Sequence, residues 1–424
     1  MRWNQYLFAP VSIKPLVLFR ILFGSVLFFD CLLHVYKGWV YTMYIAPGHH
    51  FSYVGLEFIK PLPGNGMYYY FAAMAAAALM VALGLFFRFS IIVFTLLFST
   101  AFLMERSFYN NHNYLIILLS LLLCLSPAGR RTSIDVSRNL VKPATYCGKW
   151  IYILLVAQIA IVYFYGAMNK LHPDWLSGNF LSIAFARHVE HPVFGVLYQQ
   201  QWFVLFIAYA GVLFDLLIVP LLLFKPTRKV AAVAYACFHL FNSYTFNIGI
   251  FPFLAISMLP LFSGFNRQAS TYHRMATKNW VFPVLVLFLG VQLLLPVRHW
   301  LIPGDVTYTG EGELFSWRMM LKNSKGSIVY KVVDEKTGKI YYVNPRKEFA
   351  SYKYNLLCST PDMIWNYAQH LKAKAKESKM QPSIFVSSNV SVNKSPHFLL
   401  TDSTINLCTE KWQYFGHNKW IVRR

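Results

Sequence analysis

The stretch from Ile161 to Trp175 reads Ile-Val-Tyr-Phe-Tyr-Gly-Ala-Met-Asn-Lys-Leu-His-Pro-Asp-Trp and ends an apolar run that begins near Trp150. Lys170 stands where that run stops. One interpretation is that its ammonium group reaches the lipid headgroups and anchors the helix. The other is that burial keeps the amine neutral, so that it acts as a base near neutral pH. This stretch alone favours the anchor, and the rest of the chain has to supply a reason for the base.

The composition is that of an integral membrane protein. Of the 424 residues, 56% are hydrophobic and only 13% are charged, whereas soluble domains carry about 25% charged residues. The net charge of +22 does not indicate a nucleic-acid partner, because basic cytoplasmic loops explain much of it and no nucleic-acid-binding motif is present. No small-residue cleavage site follows the first apolar run, so we expect that run to direct insertion into the membrane.

Hydropathy predicts a mainly α membrane protein with about nine transmembrane helices, followed by a small β-rich or α+β domain on the extracytoplasmic side. We expect two domains. Residues 1–297 form a polytopic transmembrane catalytic domain, and residues 298–424 form an extracytoplasmic β-rich domain. Several of the runs, notably 113–126 and 248–262, are shorter than the roughly 20 residues of a straight span. The runs are 15–36, 67–87, 89–104, 113–126, 150–168, 202–224, 230–247, 248–262 and 280–296.

Lysine and arginine divide the loops into two sets. The N-terminus, residue 88 and the loops 127–149, 225–229 and 263–279 are rich in them. The loops 37–66, 105–112 and 169–201 hold only five. By the positive-inside rule the first set is cytoplasmic. We therefore expect a multi-pass protein of the bacterial inner membrane, or of the ER membrane, with a cytoplasmic N-terminus and an extracytoplasmic tail.

The tail has its own secondary-structure signals. Gly326–Asn344 predicts a β-hairpin with its turn at Glu335–Gly338, Pro361–Lys379 an amphipathic helix, and Ser383–Val392 a further strand. Cys358 and Cys408 also lie in this tail, and the sequence leaves open whether they form a disulfide.

Charges within the apolar runs are costly and need partners. Arg20 and Asp30 are ten residues apart, about 15 Å along a helix, so they cannot pair with each other. We expect these two residues and Asp215 to form structural pairs with neighbouring helices.

Three polar clusters share the predicted outer side. They are Asn-Asn-His-Asn-Tyr at 110–114, Lys170 with Arg187-His188 further along its loop, and Phe-His-Leu-Phe-Asn-Ser at 238–243. Each has an ordinary interpretation, as a polar loop, an interface lysine or an interhelical hydrogen bond. Together they predict an outward-facing pocket with an amine base, imidazoles and amides, walled by aromatic side chains. No metal is expected, since carboxylates are scarce and no helix carries two histidines at ligand spacing.

These segments resemble the vitamin K-dependent γ-glutamyl carboxylase family, whose membrane part is also called the horizontally transferred transmembrane domain. The resemblance extends from about residue 12 to 390. The three main matches are Tyr109–Tyr114, Ile161–Trp175 and Phe238–Ser243 with Ile248-Gly249. Weaker matches in the same order are Phe19-Arg20 to Gly24, Ser316-Trp317 with Met319-Met320, and Tyr341 to Pro345.

The resemblance implies an activity. In that family a membrane enzyme deprotonates reduced vitamin K (phylloquinol or menaquinol), whose reaction with O2 produces a strong base. The base removes a γ-proton from a glutamate, CO2 adds, and the vitamin leaves as its 2,3-epoxide. The implied cofactor is therefore reduced vitamin K, with O2 and CO2 as co-substrates. The implied partners are a glutamate-containing polypeptide and membrane lipid, with no nucleic acid.

The resemblance also assigns roles to individual residues. It implies catalysis by Lys170 and His112, cofactor binding by Asn111, His239, Asn242, Met319 and Met320, substrate binding by Arg187, His188 and His299, and no metal ligand.

The chain departs from the animal members of that family at several positions. Asn169 replaces a second lysine before the base, and Arg318 replaces an acidic residue. The cysteines of the animal disulfide are missing near Val54 and Tyr367. The short form is typical of a bacterial member. Two alternatives therefore stay open, a quinol epoxidase or oxidase without carboxylation and a non-catalytic quinone- or lipid-binding membrane protein.

Overall fold

The computed structural model of the protein describes residues 2–246, 248–266 and 279–424. Each of the nine apolar runs forms helix within the described residues. The helices are α1 (Lys14–Tyr36), α2 (Gly66–Leu83), α3 (Phe87–Met104), α4 (Asn111–Leu125), α5 (Trp150–Lys170), α6 (Gln201–Leu223), α7 (Arg228–Phe246), α8 (Phe251–Met258, continued by a 3-10 helix over Leu259–Asn266) and α9 (Val281–Leu294). Arg267, Arg274 and Lys278, from the last predicted cytoplasmic loop, lie outside the described residues.

Six of the described helices are long and apolar enough to cross a membrane, namely α1, α2, α3, α5, α6 and α9 with its extension to Leu301. Helices α4 and α8 are apolar but shorter. Helix α7 begins with Arg228 and Lys229 and contains His239 and Asn242, polar side chains that lower its hydropathy. The fold class of a mainly helical membrane protein with a small sheet domain is confirmed. The count of nine spans stays a prediction.

Helices α1 and α2 pack closely because a glycine faces an alanine-rich surface. A Cβ atom built on Gly24 would lie 2.6 Å from the backbone nitrogen of Ala82. Buried Ala75 and Ala78 continue the same face of α2. Without a hydrophobic driving force between helices in lipid, such small residues gain contact area by letting backbones approach.

Two of the basic segments, the N-terminus and the 127–149 loop, meet at one end of the bundle. Strand β1 (Pro10–Ser12) pairs antiparallel with β2 (Tyr146–Gly148), which joins the N-terminus to the 127–149 loop. Arg20 donates hydrogen bonds to the carbonyl oxygens of Ala128 (3.3 Å) and Thr132 (2.6 Å). The predicted partner of this arginine on a neighbouring helix is therefore replaced by loop carbonyls.

The tail forms a four-stranded antiparallel sheet in the order β4–β3–β5–β6. Its strands are β3 (Ser324–Asp334), β4 (Ile340–Val343), β5 (Pro382–Val392) and β6 (Phe398–Leu399), and helices α10 (Ser351–Ser359) and α11 (Pro361–Glu377) lie between β4 and β5. The predicted hairpin, helix and strand are thus confirmed. Tyr330, Tyr367 and Trp420 are fully buried in the core between sheet and helices. Cys358 and Cys408 are free thiols.

The sheet domain docks on the end of the bundle opposite the basic loops. Arg106, just after α3, forms an ion pair of 2.5 Å with Asp362 at the start of α11. Next to it, the buried Glu105 accepts a hydrogen bond of 2.8 Å from Lys353 of α10. Burial acts to raise the pKa of Glu105, but hydrogen bonds from His50, Lys353 and Ser107 lower it below its ordinary value. Charged contacts therefore fix this domain against the 37–66 and 105–112 loops.

Candidate functional site

A cavity of about 630 Å³ lies between the helices and the docked sheet domain. Part of each of the three polar clusters lies in its wall. Seven of the ten predicted site residues line it: Asn111, His112, Lys170, His239, Asn242, Met319 and Met320. These seven residues come from α4, the end of α5, α7 and the loop after α9, so only the packing of these elements brings them together.

Lys170 meets a carboxylate in this wall. Its Nζ atom lies 2.6 Å from Oδ2 of Asp215, in the middle of α6, and both residues are buried. The ring of Trp175 lies 5.1 Å from the same nitrogen. Gly166, one turn before Lys170, makes room, since a Cβ there would lie 3.2 Å from Oδ2 of Asp215. The sequence predicts apolar surroundings for the amine, and the structure adds a counter-ion that can share its proton.

Asp215 is a candidate site residue outside the ten that the sequence predicts. The sequence indicates a structural pair with a neighbouring helix for it, and Lys170 of α5 is that partner. The sequence does contain a signal for the pair of Asp215 with Lys170. A carboxylate in an apolar run needs a cation, and Lys170 is a cation at the end of another apolar run.

His239 is held by a tyrosine and enclosed by rings. Its Nε2 atom lies 2.7 Å from the hydroxyl oxygen of Tyr163, and its ring centroid lies 4.5 Å from that of Tyr235 and 5.5 Å from that of Phe251. Its buried Nδ1 atom has no hydrogen-bond partner among the described residues. Asn242, one turn further along α7, is also buried in the cavity wall. A ligand with a polar group would satisfy both side chains.

His112 stands near the start of α4 and also lies beside Phe251. The centroids of these two rings are 6.1 Å apart. Both imidazoles that the sequence predicts for the site therefore contact the same phenyl ring. Such an arrangement suits a flat aromatic ligand with polar groups at its edge.

The loop that carries Met319 and Met320 has an unusual backbone. Phe315, Trp317 and Met320 have φ angles of 62°, 55° and 57°, in the left-handed region that residues other than glycine rarely occupy. Such strain costs of order 1–3 kcal/mol per residue and persists only where the surroundings impose it. It is often found at functional sites.

Side-chain amides impose this loop conformation. Asn111 donates a hydrogen bond of 2.8 Å to the carbonyl oxygen of Arg318, and Asn169 donates one of 2.9 Å to that of Ser316. The hydroxyl of Tyr109 accepts a third, of 2.7 Å, from the backbone nitrogen of Phe315. Asn111 therefore positions the loop that carries Met319 and Met320 (the methionine loop). This role differs from the cofactor binding that the resemblance implies for Asn111. Asn169, a departure from the animal sequences, takes part in the same arrangement.

A second polar pair lines the cavity. Asp30 and His34 lie one turn apart on α1, and Nδ1 of His34 is 2.8 Å from the carbonyl oxygen and 3.5 Å from the carboxylate of Asp30. The predicted partner of Asp30 on a neighbouring helix is thus replaced by a histidine of its own helix.

Three predicted site residues do not line the cavity. Arg187 is exposed and His188 half-buried, in a 3-10 turn after the helix Asn179–Phe185. That helix packs its apolar face into a separate cluster with Tyr198 and Phe203, which holds the turn elsewhere. His299 is buried, and its Nδ1 atom lies 2.7 Å from the carbonyl oxygen of Pro296. Their predicted substrate-binding role stays a prediction.

Within the described ranges, no group of three or more histidine, cysteine, aspartate or glutamate side chains could hold a metal ion.

Comparison with protein families divides the chain in two. Residues 8–266 match the HTTM domain. Residues 277–424 match the lumenal domain of vitamin K-dependent gamma-carboxylase. The second match begins before α9, so it includes the last apolar helix together with the sheet domain. No solved structure matches the chain significantly.

Proposed function

Because the chain belongs to the vitamin K-dependent gamma-carboxylase family, we propose that it couples oxidation of reduced vitamin K by O2, giving the 2,3-epoxide, with carboxylation of glutamate side chains in a polypeptide. The observation that carries this proposal is one cavity that unites a buried lysine–carboxylate pair with two imidazoles and a strained methionine loop.

The cavity suits a quinol. Its volume falls within the roughly 300–1,000 Å³ of small-molecule sites. Phe238, Phe251, Met319 and Met320 form apolar wall for the ring system. The unpartnered Nδ1 of His239 would accept or donate a hydrogen bond at a ring oxygen.

When bound, reduced vitamin K supplies with O2 the strong base that the glutamyl carbon requires. The protein's part is proton handling and positioning. In the form that acts as the base, the Lys170 amine is neutral and Asp215 is ionised. The amine takes a proton from a hydroxyl in the cavity, and the carboxylate 2.6 Å away stabilises the ammonium that results. Burial of the pair excludes bulk water, which would otherwise protonate a carbanion.

We also propose the domain division at 297/298 and a cytoplasmic N-terminus. Support comes from the arrangement of the ends of the bundle. The sheet domain contacts the loops that contain few lysines and arginines, through the ion pair Arg106–Asp362. The basic 127–149 loop pairs with the N-terminus at the other end of the bundle.

A quinol epoxidase or oxidase without carboxylation is a second candidate. It is favoured by one observation: Arg187, the predicted ligand of the substrate carboxylate, does not line the cavity. The two candidates share all the quinol chemistry and differ only in the binding of a glutamyl peptide.

The test is an assay of the purified protein with vitamin K hydroquinone, O2, radiolabelled bicarbonate and a glutamyl peptide. We expect epoxide and incorporated label, and a loss of both by about 100-fold or more in Lys170→Ala. Lys339→Ala, at an exposed residue of the hairpin turn, should retain wild-type rates. Epoxide without label would select the epoxidase. Neither product would favour a non-catalytic quinone- or lipid-binding protein, and full activity in Lys170→Ala would exclude Lys170 as the base.

A further inference from the structure

We infer that Arg318 forms a carboxylate-binding subsite of the cavity and holds the side chain of the substrate glutamate next to Lys170. This inference rests on the proposed function for the identity of the ligand. It assigns to Arg318 the role that the sequence analysis gave to Arg187.

Arg318 lines the cavity and binds only neutral groups. Its guanidinium donates hydrogen bonds to Oγ1 of Thr307 (2.8 Å) and Oδ1 of Asn169 (3.4 Å). No carboxylate among the described residues lies within ion-pair distance of it. The other two long cationic side chains of the wall are paired, Lys170 with Asp215 and Arg106 with Asp362. Arg318 is thus the cation in the described part of the cavity wall whose charge is not met by an ion pair.

The acidic groups near Arg318 leave it available. Glu313 also lines the cavity, and Asp305 is close enough to influence Arg318, but neither forms an ion pair with it. Asp305 is instead paired with His172 at 2.8 Å. The half-buried Lys322 adds a further positive charge on this side, with its ammonium bound to the carbonyl oxygen of Ser359. Arg318 and Lys322 thus both bind neutral oxygen atoms, and neither positive charge is met by a contacting carboxylate among the described residues, which suits an anionic ligand.

The position of the guanidinium is set in advance. The carbonyl oxygen of Arg318 is held by Asn111, and left-handed residues stand before and after it at Trp317 and Met320. Its side chain contacts Asn169, the residue directly before Lys170. A carboxylate bound here lies beside the lysine pair, and little side-chain freedom remains to be lost on binding.

The chemistry of guanidinium suits this ligand. Two of its five N–H donors are used by the protein, and the planar arrangement of the others allows bidentate binding of a carboxylate. In the reaction, the Cγ–H bond of glutamate breaks, its proton passes to the base derived from quinol and O2, and the electron pair forms a new C–C bond to CO2. The product carries two carboxylates where the substrate had one. A fixed positive charge stabilises this added negative charge.

The test measures binding without turnover. A fluorescent glutamyl peptide and its glutaminyl counterpart are titrated onto the full chain in detergent, without quinol. We expect the wild type to prefer the glutamyl peptide by about tenfold or more, the effect of a charged hydrogen-bonded pair. Arg318→Gln should lose this preference, while Arg318→Lys, which keeps the charge, should retain part of it.

Two further variants make the result decisive. Arg346→Gln, at an exposed residue of the sheet domain, should keep the wild-type preference. Arg187→Gln tests the competing residue. The inference is overturned if the wild type shows no preference, if Arg318→Gln keeps it, or if Arg187→Gln alone removes it. Thermal unfolding of Arg318→Gln establishes that it folds. Because no quinol is present, peptide binding can succeed where epoxidation and carboxylation fail, so the two proposals are judged separately.

Discussion

The Nζ atom of Lys170 lies 2.6 Å from Oδ2 of Asp215, and the two side chains meet from different helices inside the protein. A buried ion pair is weak support for stability, because each charge lost its hydration when it was buried. The position of this pair beside a cavity is better explained by a role in proton transfer. A proton can move from the ammonium to the carboxylate within the pair, which gives a neutral amine without leaving an isolated charge in an apolar environment.

The pair should behave non-additively in stability. Lys170→Met or Asp215→Leu alone leaves the other charge buried without a partner, which costs about 3–5 kcal/mol. The double variant removes both charges and should be more stable than either single variant. The measurement is the thermal unfolding of all four proteins in one detergent. A double variant as destabilised as the sum of the two single changes would show that the charges do not interact.

The amide of Asn111 should affect quinol binding through the methionine loop. Asn111→Ala removes the hydrogen bond to the carbonyl oxygen of Arg318 and leaves that oxygen unpaired, at a cost of about 1–3 kcal/mol. We expect a KM for vitamin K hydroquinone raised several-fold, and a similar effect in Asn111→Asp, which cannot donate. Asn65→Ala, at an exposed amide before α2, is the control. An unchanged KM in both Asn111 variants would show that the hydrogen bond from Asn111 to Arg318 does not affect quinol binding.

The left-handed conformation of Met320 can be tested with glycine. At a φ angle of 57° a side chain costs about 1–2 kcal/mol, which exceeds the entropy that glycine gains in the unfolded chain. Met320→Gly should therefore be at least as stable as Met320→Ala. The reverse order is expected at Met258, which lies at the end of helix α8. The measurement is the unfolding temperature of the four variants. If the glycine variant were less stable than the alanine variant at both positions, Met320 would not have a left-handed conformation.

Asp305 should make stability sensitive to acid. Burial acts to raise its pKa, but hydrogen bonds from His172 and Thr307 outweigh burial and lower the pKa to about 2. A lowered pKa in the folded state means that the carboxylate stabilises the protein above the unfolded value of about 4. This contribution is lost as the pH falls through about 2. Asp305→Asn should thus lower the unfolding temperature at pH 6 more than at pH 3.

The matched control for acid sensitivity is Glu335→Gln, at an exposed residue of the hairpin turn. Its effect on the unfolding temperature should be small at both pH values. If Asp305→Asn destabilised the protein equally at pH 6 and pH 3, the carboxylate of Asp305 would not contribute through its charge.

The sequence by itself determined the helices and the hairpin of the tail, and it predicted that the three polar clusters share one side of the bundle. These features depend on local properties: the length of apolar runs, the alternation of strand residues around Glu335–Gly338, and the placement of basic loops. Asn111, His112, Lys170 and His239 could be singled out because polar groups are rare in such runs.

Only the tertiary structure decided which of these residues face one another. It joined Lys170 to Asp215, placed Arg318 in the cavity wall without an ion pair, and kept Arg187 out of it. Hydropathy cannot specify such contacts, because the lipid-facing and bundle-facing sides of a membrane helix are both apolar. The rotation of each helix is set by close packing with distant parts of the chain, as at Gly24 and Gly166, and the chemistry of the site follows from that packing.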